Sequence, residues 1–286
     1  MQLELVPVGS EHVAELARIC HEAFDTLHTR HATHRDVPDL ETGMAIISAV
    51  ASRPDYIGVA ALLDGRLVGS NFLGYGGSVA GVGPLTVDPQ VQARGVGRLL
   101  MRWAVRQAEE RGLRQVRLFQ EALNTTTLSL YTTVGFVWRD GAAQMQATPG
   151  EADDPTVRPL QREDLAIIEK LSAVHYGFSR AADAAQLLAA GFPGFLRERD
   201  RRAVGYLIPS LFGHGAGESE ADLLALVAHA ARHVPPPQAA FICPLSRPTL
   251  FRSALAARHR TLKTLSYMSY GDFTPPPGLY LPSIQC

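Results

Sequence analysis

Cysteine is scarce in the 286-residue sequence, and its three thiols, Cys20, Cys243 and Cys286, are far apart and odd in number. They form no CxxC pair and no zinc-type spacing, which excludes a disulfide framework and fits a reducing compartment. Charge of one sign is also lacking. The formal net charge is −1, so no overall basic field points to nucleic acid or to an anionic membrane. No stretch reaches the ~18–20 uninterrupted apolar residues that a membrane span needs. The opening segment MQLELVPVGSEH contains Glu4 and lacks a basic-then-apolar leader. A cytoplasmic protein with no nucleic-acid or membrane partner is expected. Gly-Lys-Ser/Thr is absent as well, which rules out a P-loop.

Apolar residues, by contrast, make up 46% of the chain, enough for a sizeable core, and the length favours two domains over one. Leu3 to Val8 reads as a strand, and Ser10 as the N-cap of a helix running to about Leu27. Leu40 to Ser52 is a second helix. Tyr56–Leu63 and Arg66–Tyr75 are apolar runs joined by Asp64-Gly65, a hairpin signal. Val79 to Val87 reads as one more strand. Val96 to Glu110 places Val96, Leu99, Leu100, Trp103, Ala104 and Ala108 on one helical face and stops at Gly112. Val116–Phe119 is a strand, Thr125–Thr133 a short helix, and Phe136–Trp138 the start of another strand. This order indicates a mixed α/β domain.

The polar, Pro/Gly-rich stretch from Thr148 to Pro155 marks a linker. Beyond it the order of elements echoes the first half. A strand at Thr156–Leu160, a helix at Asp164–Val174 and a weaker one at Leu187–Ala190 come first. Ala203–Leu207, Ala221–Ala231, Ala239–Cys243, Thr249–Arg258 and Thr264–Tyr270 alternate strand and helix, and the proline-rich tail reads as extended. Domains at 1–147 and 156–286 are expected.

Chemistry concentrates in Leu85-Thr86-Val87-Asp88-Pro89-Gln90-Val91-Gln92-Ala93-Arg94-Gly95-Val96-Gly97-Arg98. A strand enters a glycine-containing loop that opens an amphipathic helix, gathering unpaired N–H groups at a positive helix end, a ready site for a pyrophosphate. Gly95 and Gly97 remove a Cβ from the approach, and Arg94 and Arg98 add positive charge. A dinucleotide fingerprint would need a third glycine where Leu100 stands. Alone, a Gly-x-Gly before a helix is as often a tight turn as a phosphate cradle.

The hexapeptide Gln92-Ala93-Arg94-Gly95-Val96-Gly97, followed by Asn124, Leu130-Tyr131 and Gly135-Phe136 in order, resembles the GNAT superfamily of acetyltransferases over roughly residues 3–146. Ala93 stands where many members carry glycine. The resemblance implies a mixed, mostly antiparallel sheet flanked by helices, with two such domains in tandem, and acetyl-CoA as cosubstrate. Backbone groups from Gln92 to Arg98 would hold the pyrophosphate, through Gln92, Ala93, Arg94, Gly95, Val96, Gly97 and Arg98. Leu85, Thr86 and Val87 would pair with the pantetheine arm, and the Leu85 N–H would face the thioester oxygen. Tyr131 would give a proton to the departing thiolate. Asn124 would bond the pantetheine arm or set the start of its helix. Each has a plainer reading beside it: Tyr131 as a core phenol, Asn124 as an N-cap.

Some members place the general base on the fourth strand, where this chain has Gly81. Glu121, Glu41, Asp39 or a water relay could replace it, with Glu121 favoured because strand ends in this fold face the cleft. His28, His31 and His34 with Asp25, Asp36 or Asp39 could be read as metal ligands, but such a run is more often a solvated face or substrate lid. No metal is expected. In the second half, Gly213-His214-Gly215-Ala216-Gly217 precedes a helix crowded by Glu218, Glu220 and Asp222, and no tyrosine motif follows. That half is expected to be a degenerate copy serving as scaffold, substrate wall or dimer surface, with His214 in a solvent loop. Direct transfer to a primary amine of a small molecule or peptide is the expected activity; an acyl-CoA-binding sensor is the alternative.

Overall fold

Asp64-Gly65 makes the turn its sequence announces, joining β2 (Tyr56–Leu63) to β3 (Arg66–Gly74) in antiparallel register from Leu63↔Arg66 to Tyr56↔Gly74. The computed structural model describes residues 2–285 except Ala93. The chain divides into two compact units, Met1–Trp138 with Met268–Asp272, and Arg139–Tyr267 with Phe273–Cys286.

In the first unit β1 (Leu3–Pro7) pairs antiparallel with β2. The helix expected from Ser10 begins later: Ser10–His12 is a 3-10 turn in which His12 Nδ1 accepts from the Gly9 N–H at 3.0 Å. The helix proper, α1 (Val13–His31), then runs past Leu27 and takes in His28 and His31. α2 (Leu40–Ser52) is capped by Asp39, whose carboxylate accepts from the Thr42 N–H at 2.8 Å. The single strand expected over Val79–Val87 is two: β4 (Ala80–Val82) and β5 (Thr86–Val87), parted at Gly83-Pro84. Pro84 has no N–H for a ladder, and the chain re-enters the sheet one step along. β4 pairs with the Leu73 end of β3 and, in parallel, with β6 (Gln115–Glu121); β5 pairs only with Gly69 and Ser70 of β3. α3 (Val96–Glu110) and α4 (Thr125–Val134) complete this unit's helices.

Helices cover both faces of this sheet, which is why β3 is buried almost throughout instead of on alternate residues. Ala60 and Phe72 pack with Leu16, Ile19 and Ile47 under α1 and α2, while Val59, Ala61, Leu63 and Val68 pack with Val96 and Leu100 of α3. A third cluster joins Leu73, Val82, Met101, Val116, Tyr131 and Phe136.

β7 (Val137–Gln146) pairs through Ala142–Gln146 with β12 (Ala240–Pro244) in the second unit. That unit also holds β8 (Val157–Pro159), α5 (Leu165–Tyr176), α6 (Ala181–Ala189), β9 (Phe195–Arg199) and β10 (Arg202–Leu207). β11 (Gly215–Gly217), α7 (Glu220–His233), α8 (Pro248–Ala256) and β14 (Leu279–Leu281) follow, and β13 (Arg260–Gly271) carries most of its length here. Its five-stranded sheet has the order β14-β11-β10-β9-β8. β9, β11 and β14 did not emerge from periodicity, and α6 starts earlier than the expected Leu187.

The segment expected as a solvent loop is instead a buried strand edge. His214 is 1% exposed, and the Tyr206 hydroxyl lies 2.9 Å from its Nδ1. The acidic start of α7 is closed by its own residues: Ser219 Oγ accepts from the Asp222 N–H at 3.1 Å, and Glu218 pairs with Arg202. Near β8, Arg158 binds both oxygens of Asp164 at 2.7 and 2.9 Å. This guanidinium holds the Asp164 carboxyl below the usual carboxylate range.

Two stability predictions follow from these contacts. Phe72, wholly buried between sheet and helices, should cost about 3–5 kcal/mol when replaced by alanine, read by urea denaturation. Asp164 is depressed in the folded chain, so its contribution is complete above the unfolded carboxyl's ordinary value and lost as pH falls through the folded one. The stability gap between wild type and Asp164→Asn should therefore close between about pH 5 and pH 2 in thermal melts across that range.

Candidate active site

A cleft of about 510 Å³ opens in the first unit where α1, β5, the α3 N-terminus and α4 face one another. Its wall contains Leu85, Thr86 and Val87, then Gln92, Gly95, Val96, Gly97 and Arg98, and Asn124. Nine of the expected binding positions are thus brought together. Arg94 is exposed and absent from the lining, and Ala93 lies outside the described residues.

Each element is placed by local chemistry. Asp88, buried to 2%, accepts from the Gln90 N–H at 2.8 Å and receives Arg66 at 3.1 Å, fixing the turn Pro89–Val91. The Gln92 side chain donates back to the Val87 carbonyl at 3.3 Å, tying the loop to β5. The two glycines do different work. Gly95 takes φ +85° at the α3 N-cap, a left-handed conformation costly for any residue with a Cβ. A Cβ on Gly97 would meet Leu130 Cδ2 at 3.1 Å, so this glycine sets how closely α3 approaches α4. Asn124 does cap α4, its Oδ1 accepting from the Thr127 N–H at 3.1 Å, and it lines the cleft at the same time.

The cleft's electrostatics are one-sided. Among the described lining residues the charged side chains are Arg30 and Arg98, and no carboxylate joins them. With the free N–H groups of a helix start beside them, they suit a polyanion. Two backbone details suit an extended ligand along β5. The Leu85 N–H has no acceptor among the described residues, and the buried Thr86 Oγ1 has none either; buried polar groups are rarely left so.

Tyr131 is 7% exposed, packs 6.2 Å from the Phe136 ring and is not part of the lining, although its neighbours Ser129 and Leu130 are. Burial pushes its phenol up, which keeps it protonated. Glu121 is also behind the wall, with its Oε1 2.6 Å from His28 Nε2. Asp39 is engaged in capping α2, and Glu41 is exposed on that helix's first turn. The histidine run separates. His28 is fully buried, while His31 and His34 are exposed, so it forms no common solvated face. Gly81 sits in β4, paired with Gly74 and Arg117. Burial pushes the Cys20 and Cys243 thiols up to about 12, leaving them inert.

Sequence reasoning missed the α1 wall, formed by Ala23, Phe24, Thr26, Leu27 and Arg30, and the contribution of Thr126, Thr127 and Thr133 from α4. The α1 periodicity marked a core-facing stripe but carried no sign that the flank beside it faces a cleft.

Residues 14–136 match the acetyltransferase (GNAT) family. Among curated proteins, a mycothiol acetyltransferase of Clavibacter sepedonicus is 42% identical over 83 residues, 29% of this chain and 27% of that protein. The chain thus matches about a quarter of that relative's length. Across both units, a solved protein from Pyrococcus horikoshii shares the fold with a TM-score of 0.78 at 13% identity, covering 95% of this chain and 90% of its own. A tandem GNAT protein from the clavulanic acid biosynthesis pathway gives 0.59 at 12% identity over 94% of this chain and 98% of its own. The GNAT fold class, in tandem, is therefore the architecture of the chain. No helix among the described residues is long and apolar enough to cross a membrane.

Replacing Gly95 by alanine should destabilise the folded chain by roughly 1–2 kcal/mol, the left-handed penalty, in chemical denaturation. A variant as stable as wild type would show that the loop relaxes to another conformation.

Proposed function

We propose that the chain is an acetyl-CoA-dependent N-acetyltransferase acting on a primary amine of a small molecule or peptide by direct transfer. The observation that carries this reading is the cleft in which a helix start, two arginines and the open edge of β5 converge, with no carboxylate among its described lining residues. Backbone N–H groups around Gly95 to Arg98 would take the pyrophosphate, with Arg98 beside them. Leu85, Thr86 and Val87 would pair with the pantetheine arm, and its amide would satisfy Thr86 Oγ1. The Leu85 N–H would point at the oxygen of the reacting carbonyl, where developing negative charge is stabilised. Glu121 would accept the proton that the amine loses. Tyr131, kept protonated by burial, would return one to the departing thiolate; its helix must bring the phenol to the cleft wall as ligand binds. The relatives named mycothiol acetyltransferase support transfer of an acetyl group to a small molecule. Unit two, whose helix start is closed by Ser219, serves as scaffold in this reading, or as a substrate wall or dimer surface.

An acyl-CoA-binding sensor is the second reading, favoured by Gly81 in place of a strand carboxylate and by Tyr131 lying outside the lining. Calorimetric titration with acetyl-CoA should give one site per chain. Arg98→Ala should weaken binding by about 10-fold, the worth of one charge-assisted contact. Tyr131→Phe should keep that affinity while losing turnover of an amine. Affinity without turnover in the wild-type chain would favour the sensor, and two sites per chain would place ligand in the second unit.

A further inference from the structure

A primary ammonium that becomes an amide N–H gives up two protons. One ends on the CoA thiol, and the other must leave a cleft whose wall offers it no carboxylate. Directly behind that wall stands a set of groups that the fold alone does not require. His28 Nε2 and Glu121 Oε1 are 2.6 Å apart, with side chains 0% and 8% exposed. The His28 ring packs 5.7 Å from that of Phe24, which lines the cleft; Glu121 ends β6, and its carbonyl accepts from the N–H of Asn124, another lining residue. An Asp36 oxygen lies within 4.8 Å of ligand atoms of both His28 and Glu121, close enough for one bridging water. Asp36 in turn stands 3.8 Å from His34, and these two side chains are 20% and 42% exposed. Exposure therefore rises step by step from the buried pair to solvent.

We propose that Glu121, His28 and Asp36 form a proton-exit relay from the cleft to the surface, a role that rests on the acetyltransferase reading above. The ammonium nitrogen first gives a proton, through a water reaching past the cleft wall, to the Glu121 carboxylate, leaving the free amine to attack the thioester carbonyl. Neutral Glu121 passes that proton to His28 Nε2, forming imidazolium and restoring the carboxylate. The imidazolium releases that same Nε2 proton, through one bridging water, to Asp36, which hands it to water beside His34, and the ring keeps its Nδ1–H throughout. The amine's second proton leaves as the C–N bond forms and the C–S bond breaks, and is matched by the one that the thiolate gains. The cycle closes with one proton delivered to solvent and every group in its starting state. A purely structural pair would not need Asp36, since His28 and Glu121 already bond each other. Burying such a pair is also a costly way to fill a core, where apolar residues of similar volume often do as well or better.

His28→Gln separates relay from scaffold, because glutamine can still donate to Glu121 but cannot take up and release a proton. On an amine that the wild-type chain acetylates, this variant should lose at least about 10-fold in kcat, within the range of a proton-transfer contribution. Its calorimetric acetyl-CoA affinity should not change. Asp36→Asn, at the partly exposed end, should slow kcat several-fold with a normal melting curve, and it decides the matter if His28→Gln does not fold. Wild-type turnover in both variants would overturn the relay and leave the acetyltransferase reading intact. A wild-type chain that binds acetyl-CoA yet acetylates none of a panel of primary amines would remove that reading, and the relay with it.

Discussion

The site depends on a strand that fails to stay whole. Had Val79 to Val87 run on as a single strand, its full length could have paired with β3 on one side and β6 on the other, leaving no edge for a ligand. The break at Gly83-Pro84 divides the pairing: β4 holds both neighbours, whereas β5 keeps β3 alone. The sheet is therefore closed at one end and open at the other, and the cleft is the opening. Everything that follows in sequence serves this geometry. Asp88 fixes the turn out of β5, Gln92 ties the loop back, and Gly95 starts a helix aimed at the gap.

The two faces of the sheet are loaded to hold that opening in place. Phe72 and Ala60 bring α1 and α2 down on one side, and Val59, Ala61 and Val68 bring α3 against the other. α1 both fills the core and walls the cleft, through Leu16 and Ile19 on one stripe and Phe24 and Leu27 beside it. Core packing thus places a cleft wall without any separate structural element.

Legibility followed the range over which the physics acts. The Asp64-Gly65 turn, the apolar stripe of Val96 to Ala108 and the stop at Gly112 are local and were readable within a few residues. Two motifs in order sufficed to anticipate where Leu85, Gly95, Arg98 and Asn124 would gather. The splitting of the 79–87 strand is hinted at by Gly83-Pro84, but only pairing reveals which neighbour each half keeps. β9, β11 and β14 are short, and Gly215–Gly217 has glycines where a strand signal needs branched side chains. The His28–Glu121 bond joins positions 93 residues apart, and no local spacing links the two. Sequence placed Glu121 at a strand end; the fold sets it behind the cleft wall with His28 against it.

The closed start of α7 bears on where a ligand could enter each unit. In the first unit the corresponding helix begins with a glycine and leaves its amides open, while in the second Ser219 supplies an oxygen from within the chain. An internal cap is always present at its own site, so no freely diffusing anion competes with it on equal terms. Loss of one serine-to-amide bond would not undo this, because Gly215–Gly217 is already paired on both sides by β10 and β14. Restoring a ligand site there would require an open strand edge and an uncapped helix at once. Two coupled requirements of that kind put a ligand site at the start of α7 beyond the reach of single substitutions.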